Sequence, residues 1–232
     1  MDFNKELLKL NIKLDADKEK KFETYYSKLI EVNSYMNLTA ITDKEEVYNK
    51  HFLDSLSLAC ALDLSKPISL CDVGSGAGFP SIPLAIVYDN IDVTIIDALN
   101  KRINFLNDLI ISLSLKNAHA YHFRAEDYAK EKRDYFDIVT ARAVARLNIL
   151  VELCMPLVKI GGYFLAMKGQ NASDELNESI NAIEKLGGKV ERTIDFNLPM
   201  EAGKRTIIVI KKIQDTPTKY PRSYAKIKER PL

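Results

Sequence analysis

The residues most able to do chemistry begin at Asp72-Val-Gly-Ser-Gly-Ala-Gly-Phe-Pro80, where Gly74, Gly76 and Gly78 alternate between an apolar run and a helix-compatible segment. Glycine permits positive φ and lets a ligand approach the backbone closely. A helix N-terminus behind such a turn offers free N–H groups and a partial positive charge. The combination suits a nucleotide-like ligand. The dinucleotide fingerprint is G-x-G-x-x-G, whereas the spacing here is G-x-G-x-G. Further on, Val93-Thr-Ile-Ile96 ends in Asp97, an acid placed to hold two ribose hydroxyls.

Such a turn needs a strand before it and a helix after it, and the surrounding pattern supplies both. Ile68–Val73 reads as a strand and Pro80–Tyr88 as a short helix. Strands are expected at 92–96, 119–123, 136–140 and 163–167, with helices over about 99–115, 147–158 and 173–186. Gly161-Gly162 reads as a turn. Two final strands, 189–196 and 205–213, have no helix between them and are expected to be antiparallel neighbours. Continuous apolar strands separated by helices imply a mostly parallel, doubly covered sheet. Before it, residues 1–59 read as helical. Phe22, Tyr25, Tyr26, Leu29, Val32 and Met36 form one stripe, and Thr42 or Asp43 caps a second helix. The expected organisation is a helical extension over 1–66 packed on the core, a nucleotide-binding α/β core over 67–213 and a basic tail over 214–232.

Hydrophobic residues make up 47% of the 232, enough for a sizeable core. Cys60, Cys71 and Cys154 are scattered and odd in number, so a reduced, cytoplasmic protein with cysteines as small core residues is expected, without a metal site. The N-terminus lacks an apolar signal core, and no apolar run is long enough to span a bilayer. Net charge is +1, but residues 204–230 carry nine Lys/Arg against two acids, net +7. Clustered positive charge is the footprint of a polyanion-binding edge.

The G-x-G-x-G spacing preceded by Asp72 resembles the S-adenosylmethionine (AdoMet) loop of Rossmann-like methyltransferases. A longer ordered series of motifs narrows the resemblance. It runs Asn37-Leu-Thr-Ala-Ile41, His51-Phe-Leu-Asp-Ser55, the glycine turn, Arg124-Ala-Glu126, Thr140-Ala-Arg-Ala-Val-Ala-Arg146, Gly161-Gly162, Met167-Lys-Gly169 and Tyr220-Pro-Arg222. Over nearly its whole length the chain resembles the bacterial small-subunit ribosomal RNA guanine-N7 methyltransferases, the glucose-inhibited division protein B (RsmG) family. It departs from that pattern in lacking any Trp, with Tyr35 and Met36 before the Asn-Leu-Thr run. It also has Ser81 after Phe-Pro, Ala98 after Asp97, and Ala225 and Ile227 in the tail.

The resemblance implies a Rossmann-like fold with a seven-stranded, mostly parallel sheet and an antiparallel last strand. It implies AdoMet as cofactor and, as substrate, a guanosine in the decoding region of 16S ribosomal RNA, either free or in a small-subunit assembly intermediate. A monomer without membrane association is expected. Cofactor contacts are then expected from Asp72, Gly74, Ser75, Gly76, Gly78, Phe79, Asp97, Ala125, Glu126 and Arg142, the last as a positioning residue. Arg146, Lys168, Lys204, Arg205, Arg222, Lys226, Lys228 and Arg230 are candidates for RNA phosphates. Guanine N7 is an unprotonated lone pair, so in-line methyl transfer needs neither a nucleophile nor a general base. His51 is accordingly expected to serve packing or a hinge rather than base catalysis. Two other readings use the same residues: a small-molecule methyltransferase, and a non-catalytic RNA-binding protein with a vestigial pocket. The basic segment opposes the first, and the intact glycines, Asp97 and Arg142 oppose the second.

Overall fold

Side-chain alternation along the strands builds two apolar layers on one sheet. In the computed structural model, which describes residues 1–232, seven strands form a sheet in the order β3-β2-β1-β4-β5-β7-β6. They are β1 (Ile68–Val73), β2 (Ile91–Asp97), β3 (Ala118–His122), β4 (Phe136–Arg142), β5 (Val158–Lys168), β6 (Gly188–Asn197) and β7 (Lys204–Lys212). Successive strand residues point to opposite faces. Leu70, Ile138, Leu165 and Val209 therefore face one core, while Cys71, Val139, Phe164 and Ile208 face the other.

The first core is closed by α1 (Phe3–Lys9), α2 (Ala16–Met36) and α6 (Asn100–Ser112), through Leu7, Phe22, Leu29 and Leu106. Asp15 caps α2 by accepting from Lys18 N at 2.8 Å. Phe22, Tyr25 and Phe52 are fully buried at this junction, each such side chain contributing about 1.5–3 kcal/mol. The second core is closed by α7 (Ala125–Glu131), α8 (Leu147–Cys154) and α9 (Ala172–Lys185). Between β1 and β2, α5 (Ser81–Val87) follows the glycine turn.

β1 to β5 run parallel, and β7 pairs antiparallel with both β5 and β6, as the missing helix between the last strands requires. The chain adds β2 and β3 on one side of β1, then crosses to add β4 on the other. That reversal leaves a crevice at the carboxyl ends of β1 and β4.

Four local expectations need correction. Gly161-Gly162 is not a turn between elements: β5 runs through it, with a register shift against β4 between Phe136 and Ile138. Gly161 takes φ +84°, and a Cβ on Gly162 would lie 2.6 Å from the Asp137 carbonyl, so the pair forms a bulge that only glycine fits. The helix expected over 147–158 stops at Cys154, because Pro156 cannot donate a helical hydrogen bond and Val158 already pairs with Phe136. α7 was not expected, since its buried Ala125, Tyr128 and Ala129 span barely two turns. Cys60 is exposed rather than a core residue; Cys71 and Cys154 are buried.

The basic tail is strapped down. Tyr220 and Ile227 are buried in the second core, the latter on α10 (Tyr224–Glu229). Arg133 donates to the carbonyls of Thr216, Pro217 and Tyr220. Arg222 grips the fully buried Glu152 of α8: its backbone N and Nε donate to Oε1 at 2.9 and 2.8 Å, and Nη2 donates to Oε2 at 2.6 Å. No helix is long and apolar enough to cross a membrane.

Candidate active site

The crevice at the β1/β4 reversal holds a cavity of about 550 Å³. Its floor is the glycine turn. Gly74, Gly76 and Gly78 have φ of +74°, +62° and +102°, where a side chain would be strained. Gly76 has open space where its Cβ would be, so a ligand can reach its backbone. Gly78 serves packing: a Cβ there would meet Ile82, Tyr25 Oη and Leu106 within 2.7–3.0 Å. The N-terminal helices clamp the turn, Tyr25 Oη donating to the Ala77 carbonyl at 2.6 Å.

Gly74, Ser75, Gly76, Phe79, Asp97, Ala125, Glu126 and Arg142 all line the cavity. Asp72 and Gly78 do not; they lie behind the turn. Asp72 is fully buried and accepts from Ser81 N at 3.3 Å, while its other oxygen has no partner. Burial pushes its carboxyl up to about 7, opposed by the Ser81 hydrogen bonds and by Arg142.

Asp97 ends β2 and is 4% exposed. Oδ1 accepts from Leu99 N at 2.9 Å; Oδ2 accepts from Gly76 N at 3.3 Å and Arg102 Nη1 at 3.2 Å. The acid is thereby locked to the turn it works with. The Ser75 hydroxyl is buried in the cavity wall without a protein partner. Open backbone at Gly76, an unpartnered hydroxyl, an acid at the second strand and an apolar far wall fit the parts of AdoMet: amino acid, ribose and adenine.

Facing the turn is a wide helical stretch that carries the start of the His51-Phe-Leu-Asp-Ser55 motif. Tyr48–Leu53 forms a π-helical stretch between α3 (Lys44–Val47) and α4 (Asp54–Leu56). Such wide turns redirect side chains and free carbonyls, often at functional sites. Here Arg142 Nη1 donates to the Lys50 carbonyl at 3.2 Å and to Asp54 Oδ2 at 2.7 Å. Nη2 lies 3.2 Å from His51 Nδ1. The Arg142 guanidinium also covers the Phe79 ring at 5.0 Å, and His51 stacks on the same ring at 4.6 Å.

His51 thus lines the cavity as well as packing in it. Burial and then the Arg142 charge lower it to about 3, so it is neutral near pH 7. Nδ1 lies 3.1 Å from the Lys50 carbonyl and 3.2 Å from Arg142 Nη2, and Nε2 lies 2.9 Å from Thr39 Oγ1, so both ring nitrogens are engaged. Sequence reading also missed Asp54, which anchors Arg142. The signal was present in His51-Phe-Leu-Asp54, but only the fold brings it to the end of β4.

A profile described as rRNA small subunit methyltransferase G matches residues 18–206. The chain belongs to that family. Ribosomal RNA small subunit methyltransferase G of Geobacillus thermodenitrificans is 53% identical over 223 residues, covering 95% of this chain and 94% of that one. Among solved structures, a SAM-dependent methyltransferase from Aquifex aeolicus superposes with a TM-score of 0.55 at 17% identity, covering 74% of this chain and 94% of its own. A second, M. jannaschii TYW2 in complex with AdoMet, gives 0.51 at 19% identity over 64% of this chain and 71% of its own. These two likenesses establish the Rossmann-like fold. The methyltransferase uses AdoMet, and its RNA-contact candidates fall into three groups. Lys168 and Arg222 are already paired: the Lys168 side chain is 8% exposed and lies 2.8 Å from Glu175, while Arg222 serves Glu152. Arg146 pairs with exposed Glu178, Lys204 with Asp195 and Arg205 with Asp54, all at positions reachable from solvent. Lys226, Lys228 and Arg230 are exposed on and after α10.

Proposed function

We propose that the enzyme methylates N7 of a guanosine in small-subunit ribosomal RNA, with AdoMet held by the residues of the glycine-turn cavity. In this reading Asp97 takes the ribose hydroxyls, Ala125 and Glu126 take the adenine edge, and Gly74, Ser75 and Gly76 take the amino-acid part. When bound, AdoMet supplies a methyl group activated by its sulfonium. Phe79, stacked between Tyr25 and His51, keeps an apolar wall beside the turn and excludes water. Arg142 is held from behind by Asp54 and the Lys50 carbonyl. A guanidinium has five donors, so Arg142 keeps N–H groups to align what enters from the cavity side.

The observation that carries the acceptor assignment is the state of the groups that could remove a proton or attack carbon. Both His51 nitrogens are engaged, and the ring stays neutral. Cys71 and Cys154 are buried away from the cavity, and burial pushes both thiols up. Asp72 is sealed beneath the turn. A site built for alignment rather than proton transfer suits a lone-pair acceptor such as N7. N7 lies in the deep groove of an RNA helix, so an unpaired or extruded guanosine is the form that fits. The enzyme is read as a monomer working in the cytoplasm, where ribosomal RNA resides.

The test is incubation with AdoMet and unmodified small-subunit RNA, free or in particles, followed by nucleoside mass spectrometry. 7-Methylguanosine is expected, and comparing the two substrate forms tells which is used. Methyl on an exocyclic amine or ribose would overturn the assignment.

A further inference from the structure

A second cavity, also of about 550 Å³, adjoins the first. The two share one wall: His51, Arg142, Ala143 and Val144. Their electrostatics differ. The first balances Arg102, Arg124 and Arg142 against Asp97 and Glu126. The second sets Lys50, Arg142, Arg146, Lys168 and Arg205 against only Asp54 and Glu175. The near-balanced cavity suits AdoMet, whereas the cationic one suits an anion.

The shared wall is unusual locally. Ala143 has φ +57°, a conformation disfavoured for any residue with a Cβ and kept where surrounding contacts enforce it. It turns the chain so that Val144, an apolar residue, stands 38% exposed between the cavities. Beneath, the 3% exposed Asp54 links the two sides: Oδ2 binds Arg142 and Oδ1 lies 3.4 Å from Arg205 Nε. Oδ1 makes no geometrically good hydrogen bond, so Asp54 orders Arg205 by charge without saturating it.

Resting on the RNA-acceptor reading above, we infer that the second cavity receives the acceptor nucleotide, with its base against Val144 and its phosphodiester on Arg205 and Arg146. The shared wall then sets the distance between base and methyl donor. Arg142, touching both cavities and fixed by Asp54, is the positioning residue between them. Lys168 supports the floor through Glu175 and the Ala145 carbonyl rather than meeting phosphate.

The test compares Arg205→Gln, Arg146→Gln, Arg205→Lys and, as a distant exposed control, Lys20→Gln. Initial rates of methyl transfer give KM for small-subunit RNA at two salt concentrations, and calorimetry gives AdoMet affinity. Each Gln variant is expected to raise KM about tenfold, as loss of a charged hydrogen bond does, and to flatten the salt dependence. AdoMet affinity should stay within about twofold, since neither residue lines the first cavity. Arg205→Lys should recover most of the lost KM. Unchanged KM in both Gln variants would overturn the inference, as would an equal shift in Lys20→Gln or a parallel loss of AdoMet affinity. Wild-type protein that put no methyl on guanine N7 would instead sink the acceptor reading itself.

Discussion

Replacing Arg222 by Met removes a guanidinium but keeps an apolar stem of similar length, and it strands the carboxylate of Glu152. That carboxylate is fully buried in α8 and receives three hydrogen bonds from Arg222, two of them from the guanidinium. Removing one partner of a buried ion pair costs about 3–5 kcal/mol. The Arg222 side chain is 25% exposed, so water enters the gap and the lower end, about 3 kcal/mol, is expected. For a chain of this size, about 2–4 °C of melting temperature accompanies each kcal/mol, giving a fall of about 6–12 °C. Calorimetric melting reads this directly. The double variant Arg222→Met/Glu152→Met removes both charges and should melt above the single variant, because no uncompensated charge remains. Tyr224, two residues past the clamp, lines the glycine-turn cavity proposed to hold AdoMet, so Arg222→Met should also weaken AdoMet binding. A single variant melting within about 2 °C of wild type, or a double variant melting below the single, would refute the claim that this pair straps the tail to the core.

Asp97→Ala removes the acid proposed to hold the ribose and should weaken AdoMet binding by about 1.5–3 kcal/mol, roughly tenfold to a hundredfold in the calorimetric dissociation constant; an unchanged constant would exclude a cofactor contact. Asp72→Asn removes a group raised from 3.8 to about 7 by burial, so the unfolded chain releases that proton before the folded one does. The wild type therefore loses stability as pH rises from about 4 to about 7, and the urea midpoint of the variant should gain on it across that window, then hold a constant lead. Neutralising Lys226, Lys228 and Arg230 together should lower RNA affinity and flatten its dependence on log salt, with a slope change of about 2 if all three meet phosphates; an identical slope would remove α10 from the RNA interface.

Much of the architecture could be read along the chain because strands and helices leave periodic signals. β1, β2 and β4 are short apolar runs ending at chemically telling residues, and the glycine turn stands between the first and its helix. The antiparallel last pair followed from the missing crossover helix. What escaped was local competition: glycines that continue a strand as a bulge, a proline that stops a helix, and a seven-residue helix too short to show its period. In the site, Asp72 and Gly78 belong to the glycine motif but face inward, a distinction that spacing alone does not encode. His51 was read as packing; it packs, and it also borders both cavities.

By itself, the order of residues determined a nucleotide-binding α/β chain with a glycine turn, an acid on the second strand and a basic end, because those features are local in sequence. Tertiary structure alone decided which charges are free. Glu152, 70 residues before Arg222, absorbs an arginine that the sequence offered as a candidate for RNA phosphates. Asp54, 88 residues before Arg142, holds the guanidinium that separates the two cavities. A side chain's charge is set by its type, but whether water, a buried carboxylate or a ligand meets that charge depends on what the fold brings beside it.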